Sequence, residues 1–402
     1  MSQATELLGA RDAGDSRVLA VVSAAHFVSH YYMLLLPPLF AFVRADYGVS
    51  YTELGLAITA FNVVSATAQT PAGFLADRLG ARRLLIGGLL VGSCAVALAG
   101  LVDSFWFLVG MFALIGLANT VFHPGGYAML SQHVAPARLA RAFSIHTFCG
   151  ILGSAVAPAS LLLMQNIWGW RGAFVGASLL GVIAAAALMT QRDDATAHAA
   201  NVKVQAADTG PAGWRLLVSP PIMVSLVFFL SLALVNMGLS SYSVVALDAL
   251  HGTPAATANV ALSCYLLFTA IGVLAGGWVA SRTRRHDAVS AGGLAMVTLL
   301  AITLASTDLG GLFLFLAMSG GGFFLGLTMP SRDLLVRAIT PPGSFGKVFG
   351  FVSTGFNIGG IIAPLIFGAL MDQGSPRLVF VLIAIFALAS ILTVVVRPAR
   401  VG

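Results

Sequence analysis

The sequence predicts an all-α polytopic membrane protein with twelve transmembrane helices. Of its 402 residues, 58% are hydrophobic and only 9% are charged, whereas soluble domains carry about a quarter charged residues. Cutting the chain at every Asp, Glu, Lys and Arg leaves twelve uncharged runs of the length that crosses a bilayer, about 18 residues or more. These runs are 18–43, 54–76, 84–102, 104–137, 142–170, 172–191, 216–247, 249–281, 288–307, 309–331, 348–371 and 378–396.

Positive charge is concentrated on one side of the predicted membrane protein. With a cytoplasmic amino terminus, all of the 21 Lys and Arg residues except Arg44, Arg171 and Arg377 fall in cytoplasmic segments. Cytoplasmic loops of membrane proteins carry such an excess. We therefore expect both termini in the cytoplasm of a bacterial cell, with the chain in the plasma (inner) membrane among membrane lipids. The net charge of +6 then reflects topology, and no nucleic-acid partner is predicted.

A polar stretch divides the spans into two groups of six. Residues 192–215 are rich in Ala, Asp, Thr and Gly, and this composition indicates a flexible cytoplasmic linker. It separates a predicted six-helix bundle at 18–191 from a second at 216–396. Short cytoplasmic tails are predicted at 1–17 and 397–402.

The two groups of six spans are predicted to be structural copies. An offset of 206 residues aligns Pro124 with Pro330 and Pro158 with Pro364. Six helices per copy is an even number, so both copies have the same orientation and are related by an axis along the membrane normal. The same offset gives the pairs Pro136/Pro342, Arg141/Lys347, Phe143/Phe349, Gly153/Gly359, Ala157/Ala363, Arg171/Arg377 and Phe174/Phe380.

The loop between the second and third spans carries a recognisable motif. Its residues 73–83 read Gly-Phe-Leu-Ala-Asp-Arg-Leu-Gly-Ala-Arg-Arg, and residues 277–285 form a degraded copy in which Ser281 replaces the aspartate. The first loop resembles the signature loop of the major facilitator superfamily, and the resemblance covers residues 18–396. It implies a secondary transporter in which two six-helix bundles rock around a central site.

The resemblance also implies a conformational latch in this loop that holds the outward-open state. Asp77 at a cytoplasmic helix end would meet the positive amino terminus of another helix. The alternative is that Arg82 and Arg83 are simple positive-inside anchors. The latch candidates are Gly73, Asp77, Arg78, Gly80, Arg82 and Arg83.

The sequence lacks the motifs of nucleotide-driven or enzymatic chemistry. It has no P-loop, no His-Glu-x2-His helix and no Gly-x-Ser-x-Gly elbow. We expect no enzyme activity, no cofactor and no resident metal ion. Transport of a small molecule must then draw on an ion gradient, and the protein is expected to be a monomer. A receptor or scaffold that kept this fold without transport is the rival class.

Polar side chains inside the spans form the candidate substrate site, because burial of such groups in a membrane is costly. His26 and His30 lie four residues apart, as do Asn119 and His123, so each pair is predicted to share one helix face. The resemblance implies that spans one, four, seven and ten line a central cavity. The substrate-binding candidates are His26, His30, Asn119, His123, Asn236, Ser240 and Arg332, with Ser243 on the same predicted face of span seven. Weaker candidates are Asn62, Gln69 and His146, and for His146 we favour a packing role.

Arg332 favours a small organic anion, because a guanidinium binds carboxylate or phosphate in a bidentate manner. The alternative is an arginine whose side chain reaches the cytoplasmic interface, paired with Asp333. No Asp or Glu lies at mid-depth in any span. We therefore take His30, His123 and Asp333 as candidates for proton coupling.

A second function is open for the histidines. His26, His30 and His123 could serve export of a drug, a metal ion or a metal chelate, although no carboxylate or cysteine accompanies them. Val121-Phe122-His123-Pro124 and the Ser29-His30 pair loosely resemble the fosmidomycin-resistance branch of the superfamily. That branch exports a small phosphonate, so the resemblance adds weight to the anion.

Overall fold

A computed structural model describes residues 2–191, 214–341 and 345–395. Within these ranges it leaves out the side chains of 2–14, 69–70, 73–74, 76–77, 136–137, 140, 214 and 345–347. Every regular element of the described chain is helical. The helices are α1 (Ser2–Met33), α2 (Phe40–Tyr47), α3 (Tyr51–Leu79), α4 (Ala81–Leu101), α5 (Phe105–Asn119), α6 (Phe122–His133), α7 (Pro136–Met189), α8 (Trp214–Leu217), α9 (Pro220–Met237), α10 (Ser243–His251), α11 (Ala255–Arg282), α12 (His286–Ser306), α13 (Gly311–Ile339), α14 (Phe345–Asp372) and α15 (Pro376–Val395).

Ten helical segments of the described chain are long and apolar enough to cross a membrane. One of them, Arg141–Met189, contains two predicted spans. It is broken at Gly169, whose backbone angles (φ 72°, ψ 170°) are not helical. A positive φ of this size is accessible to glycine at little cost. The predicted span 54–76 lies in α3, which is not among the ten. The twelve predicted spans therefore all have helical counterparts.

The chain divides into two compact units. Unit 1 contains residues 1–39 and 60–202, and unit 2 contains residues 40–59 and 203–402. The segment 40–59, which the sequence places with the first bundle, packs within unit 2.

Glycines let helices approach closely at repeat-related positions. In unit 1, a Cβ atom at Gly153 of α7 would clash with the backbone of Phe27 in α1. In unit 2, a Cβ atom at Gly359 of α14 would lie 2.5 Å from the Cβ atom of Ala233 in α9. The 206-residue offset relates both members of these contacts. The internal repeat therefore extends from the sequence to the packing of the helices.

The amino terminus of α3 is fully capped within unit 2. The Ser50 hydroxyl accepts a hydrogen bond from the Glu53 backbone N–H (3.1 Å), and the Glu53 carboxylate accepts one from the Ser50 N–H (2.7 Å). This reciprocal pair is a capping box. The Asp372 carboxylate, at the end of α14, accepts the backbone N–H groups of Tyr51 (2.7 Å) and Thr52 (2.8 Å) and the Thr52 hydroxyl (2.5 Å). Side chains therefore satisfy the free N–H groups at this helix end.

We predict that Asp372→Ala destabilises the protein by about 1 kcal/mol, because two N–H groups and the positive end of α3 lose their acceptor. Thermal unfolding of the detergent-solubilised protein measures the change. Asp308→Ala, at another exposed loop aspartate, is the control and should leave the melting temperature unaltered. Equal melting temperatures for the two variants would show that Asp372 does not stabilise the α3 terminus.

Candidate functional site

Four histidines from three helices of unit 1 form one cluster. The ring centroid of His26 lies 4.6 Å from that of His30, 5.1 Å from that of His123 and 4.1 Å from that of His146. One ligand nitrogen from each of His26, His30 and His123 lies within 4.8 Å of the other two. Helix α1 supplies His26 and His30, α6 supplies His123, and α7 supplies His146. The three histidines predicted on two spans, His26 and His30 on the first and His123 on the fourth, converge, and His146, a weaker candidate, joins them.

The cluster is largely buried, and several of its nitrogens have no partner in the described part of the chain. His26 is 2% exposed and His146 is fully buried. The His26 Nδ1 lies 2.8 Å from the backbone oxygen of His146. A carbonyl only accepts hydrogen bonds, so His26 Nδ1 carries the proton and Nε2 keeps a free lone pair. The Nε2 atoms of His26 and His30 and both ring nitrogens of His146 are buried without a hydrogen-bond partner.

Two glycines make room for the imidazoles. A Cβ atom at Gly150 of α7 would lie 2.6 Å from Cε1 of His26. A Cβ atom at Gly126 of α6 would lie 2.9 Å from Cε1 of His146. Both distances are shorter than any normal carbon contact. Any larger residue at either position would therefore displace a ring of the cluster.

The fourth span contains a turn at Thr120–Val121, and both residues keep right-handed helical backbone angles. The face that Asn119 and His123 are predicted to share stays a prediction. Helix α5 ends at Asn119, and α6 begins at Phe122. Pro124 accounts for the break, since it has no N–H and its ring clashes with the carbonyl four residues earlier, that of Thr120. Asn119 is half-buried at the end of α5.

The seventh span also departs from regular α-helix, and the shared face of Asn236, Ser240 and Ser243 stays a prediction. Residues Gly238–Tyr242 form a π-helical turn between α9 and α10. A π turn places more residues in each turn than an α-helix does, which shifts Ser240 and Ser243 relative to Asn236. The Tyr242 hydroxyl donates to the Pro364 carbonyl of α14 (2.6 Å), and this bond holds the turn within unit 2.

Arg332 of α13 is held inside unit 2. Its side chain is 12% exposed, and Nε donates to the Asp333 carboxylate at 2.8 Å. The guanidinium carbon lies 4.7 Å from the ring centroid of Phe229 and 5.3 Å from that of Phe356. These distances suit cation–π attraction. Arg332 also lines a cavity of about 40 Å³ together with Ser225 of α9 and Thr393 of α15, among other residues.

Arg332 and its neighbour Phe356 occupy the repeat counterparts of two glycines that border the histidine cluster. The 206-residue offset pairs Arg332 with Gly126 and Phe356 with Gly150. In unit 1 those two glycines leave space for the rings of His146 and His26. In unit 2 a guanidinium and a phenyl ring are present at the same two positions. Sequence reasoning did not pick out Phe229, Phe356, Gly126 or Gly150, although the repeat offset already relates two of them to Arg332 and to each other.

The predicted latch loop contributes to structure inside unit 1. Arg82 donates to the backbone oxygens of Leu188 (3.1 Å) and Met189 (2.7 Å), which caps the carboxyl end of α7. Gly80 has φ 84°, a value that favours glycine, at the turn between α3 and α4.

The remaining predicted site residues in and beside this loop stand apart from the histidine cluster. Arg78 and Arg83 are exposed, and Asn62 is half-buried in α3. Gln69, Gly73 and Asp77 lie outside the residues whose side chains are described. The latch role of the loop stays a prediction.

These features define a multi-pass helical membrane protein with two repeated halves and with polar groups held inside its spans. The sequence profile of the Major Facilitator Superfamily matches residues 22–251 and 229–401, and the chain belongs to this superfamily. The predicted family and fold class are thereby confirmed. The protein is a secondary transporter of a small molecule, and it is not an enzyme.

Relatives and solved structures agree with this assignment. The chain is 24% identical to the fosmidomycin resistance protein of Escherichia coli (strain K12), over 94% of this chain and 92% of that protein. It is 25% identical to the probable sulfoacetate transporter SauU of Cupriavidus necator, over 93% and 92% of the two chains. A crystal structure of a bacterial homolog of the human lysosomal transporter Spinster, inward-facing and unoccupied, superposes with a TM-score of 0.75 at 17% identity. That superposition covers 95% of this chain and 94% of the other.

Proposed function

We propose that this transporter moves a small organic anion and that proton movement drives the transport. The observation that carries the proposal is the position of Arg332 in unit 2. A guanidinium that is 12% exposed is a permanent positive charge in a membrane protein's interior, and such charges mark transport pathways. The alternative of an arginine at the cytoplasmic interface includes the same Arg332–Asp333 pair, and the variants below separate the two.

The surroundings of Arg332 suit a carboxylate or a phosphonate. Among the described residues, its single hydrogen bond runs from Nε to Asp333, and the terminal nitrogens donate to no protein group. Two terminal N–H groups pointing the same way match the two oxygens of a carboxylate. The adjoining cavity of about 40 Å³ has room for two or three water molecules, roughly the size of one carboxylate group. Phe229 and Phe356 fix the guanidinium plane from the side.

The names of two relatives support an anionic substrate. Sulfoacetate, which appears in the name of SauU, carries a carboxylate and a sulfonate. The fosmidomycin resistance protein, whose branch was linked above to export of a small phosphonate, aligns with 94% of this chain. We take small organic acids with carboxylate, sulfonate or phosphonate groups as the substrate class.

Asp333 gives a route for proton coupling. Its carboxylate now accepts the Arg332 Nε–H and is about half exposed. A substrate anion that binds Arg332 competes with this carboxylate for the guanidinium. The carboxylate released from the guanidinium is then the group that would carry the coupled proton. Anion binding and proton uptake would therefore occur together, and release of the anion would restore the Arg332–Asp333 pair.

We predict that Arg332→Ala weakens anion binding. Sulfoacetate and simple alkyl phosphonates would be screened for stabilisation of the purified, detergent-solubilised protein, because a ligand that binds the folded state raises its melting temperature. Loss of a charge-assisted contact should weaken binding of the stabilising anion by about 10- to 100-fold. Arg332→Lys retains the charge but not the planar fork, and it should give an intermediate loss.

Arg337→Ala is the matched control, since Arg337 lies on the same helix and its side chain is exposed. It should bind the anion like the wild type. The anion proposal fails if Arg332→Ala, with a normal melting temperature in the absence of ligand, retains full binding. It also fails if only lipophilic cations stabilise the protein.

We predict that Asp333→Asn separates anion movement from proton movement. The asparagine side chain still accepts a hydrogen bond from Arg332, but its amide group does not bind a proton as a carboxylate does. In proteoliposomes, uptake driven by a pH gradient should be lost, whereas exchange of the anion at equal pH on both sides should continue. Asp287→Asn, at an exposed position in the first turn of α12, is the control. Uptake by Asp333→Asn that still follows the pH gradient would exclude this residue from coupling.

We further propose that the protein lies in the bacterial inner membrane with both termini in the cytoplasm, on the basis of its positive-charge asymmetry. That it is a monomer stays a prediction. Green fluorescent protein joined after Gly402 should fluoresce. Alkaline phosphatase, which is active only outside the cytoplasm, should be active when joined after Gly48 and inactive when joined after Arg285. The reverse pattern would invert the topology.

Export of a drug or a metal species stays the second candidate function. One observation favours its metal form: the convergence of His26, His30 and His123 to within 4.8 Å in unit 1.

A further inference from the structure

The histidine cluster has the donor atoms of a metal site already oriented. In metal centres, a ligand histidine usually donates its second ring N–H to a carbonyl or carboxylate, which fixes the tautomer and directs the other nitrogen to the ion. His26 shows this arrangement, because Nδ1–H donates to the His146 carbonyl at 2.8 Å and Nε2 is left with a lone pair. The Nδ1 of His30 lies 3.5 Å from the Ser154 hydroxyl, and its Nε2 is likewise buried and free of protein partners in the described chain.

A buried ring nitrogen without a partner is costly, and native proteins contain few of them. Here two such nitrogens, His26 Nε2 and His30 Nε2, occur on successive turns of α1. His123, from α6, brings a third imidazole to the same point and is exposed. An ion would therefore reach the cluster through His123 and would satisfy the buried nitrogens by coordination.

The geometry points to a binding site for one divalent transition-metal ion of the zinc type, with His26, His30 and His123 as ligands. Three imidazole nitrogens around zinc, at about 2.0–2.1 Å from the ion, lie about 3.3 Å apart in a tetrahedral site. The three donor atoms lie within 4.8 Å of one another without any ion. Side-chain rotations that move each nitrogen by about 1 Å close the site. His146 stacks on His26 and backs the first ligand.

The donor set selects the class of metal ion. Imidazole suits zinc, copper and nickel, whereas magnesium and calcium require oxygen ligands. No carboxylate or thiolate belongs to the cluster as the structure describes it. The ion would keep its positive charge, and its fourth position would be open to water or to an anion. This inference concerns unit 1 and does not depend on the anion proposal for Arg332.

Gly150 supplies a test that removes no ligand. A methyl group at this position would lie 2.6 Å from Cε1 of His26, so Gly150→Ala must displace that imidazole. A change that acts through the orientation of a ligand typically weakens metal binding about 10- to 100-fold. Loss of a ligand itself, in His123→Ala, should weaken binding by at least as much. His123 is exposed, so this variant should fold normally.

The experiment is a calorimetric titration of the full-length, chelator-treated protein in detergent with Zn²⁺. Mg²⁺ is the negative control. We expect one Zn²⁺ per chain, no Mg²⁺ binding, and the stated losses in His123→Ala and Gly150→Ala. Co²⁺ should give the intense visible absorption of a tetrahedral site in the wild type, and this absorption should fade in both variants. His133→Ala and His251→Ala are the matched controls, since each of these imidazoles contacts a backbone oxygen away from the cluster.

Arg332→Ala should also bind Zn²⁺ normally, which separates failure of this inference from failure of the anion proposal. The inference is overturned if the wild type shows no saturable Zn²⁺ binding. It is equally overturned if His123→Ala binds Zn²⁺ with wild-type affinity, because the ion would then lie elsewhere.

Discussion

Close approach of helix backbones at small residues is the constraint on which the rest of this structure depends. In a bilayer, lipid is as apolar as a leucine side chain, so helices associate through tight packing and not through exclusion of water. Between α11 and α13, Cβ atoms at Gly272, Gly322 and Gly326 would meet the backbones of Phe323, Tyr265 and Thr269. Gly126 and Gly150, which likewise have no side chain, leave room for the imidazole rings inside unit 1. Small residues therefore account both for the close packing of the helices and for the space that the histidine cluster occupies.

Repetition followed by divergence explains why the two units hold different chemistry at related positions. The offset that relates Gly153 to Gly359 also relates Gly126 to Arg332 and Gly150 to Phe356. Unit 1 fills the space with imidazole rings. Unit 2 fills it with a permanent cation held against two phenyl rings. Unit 1 thus presents imidazole nitrogens of the kind that bind metal ions. Unit 2 presents a guanidinium of the kind that binds anions, on the same helical framework.

Departures from regular helix fix where the polar groups lie. Pro124 ends α5 and starts the short helix that carries His123, and the π turn at Gly238–Tyr242 moves the serines of the seventh span. Pattern arguments assume an unbroken α-helical period, so they do not anticipate such irregular turns. Pro124 was visible in the sequence as a break signal, whereas nothing in the local sequence indicated the π turn or the hydrogen bond from Tyr242 to the Pro364 carbonyl beside it.

The sequence by itself determined the membrane class, the twelve spans, the internal repeat and the family. Each of these follows from composition or from spacing along one chain, because a bilayer requires long uncharged helices and a repeat preserves its offset. It also identified His26, His30, His123 and Arg332, since polar groups in apolar spans stand out. Only the tertiary structure brought His146 to the other three imidazoles, paired Asp372 with the start of α3, and set Arg332 between Phe229 and Phe356. Those contacts join residues far apart in the chain, and side-chain volumes across helix interfaces decide them.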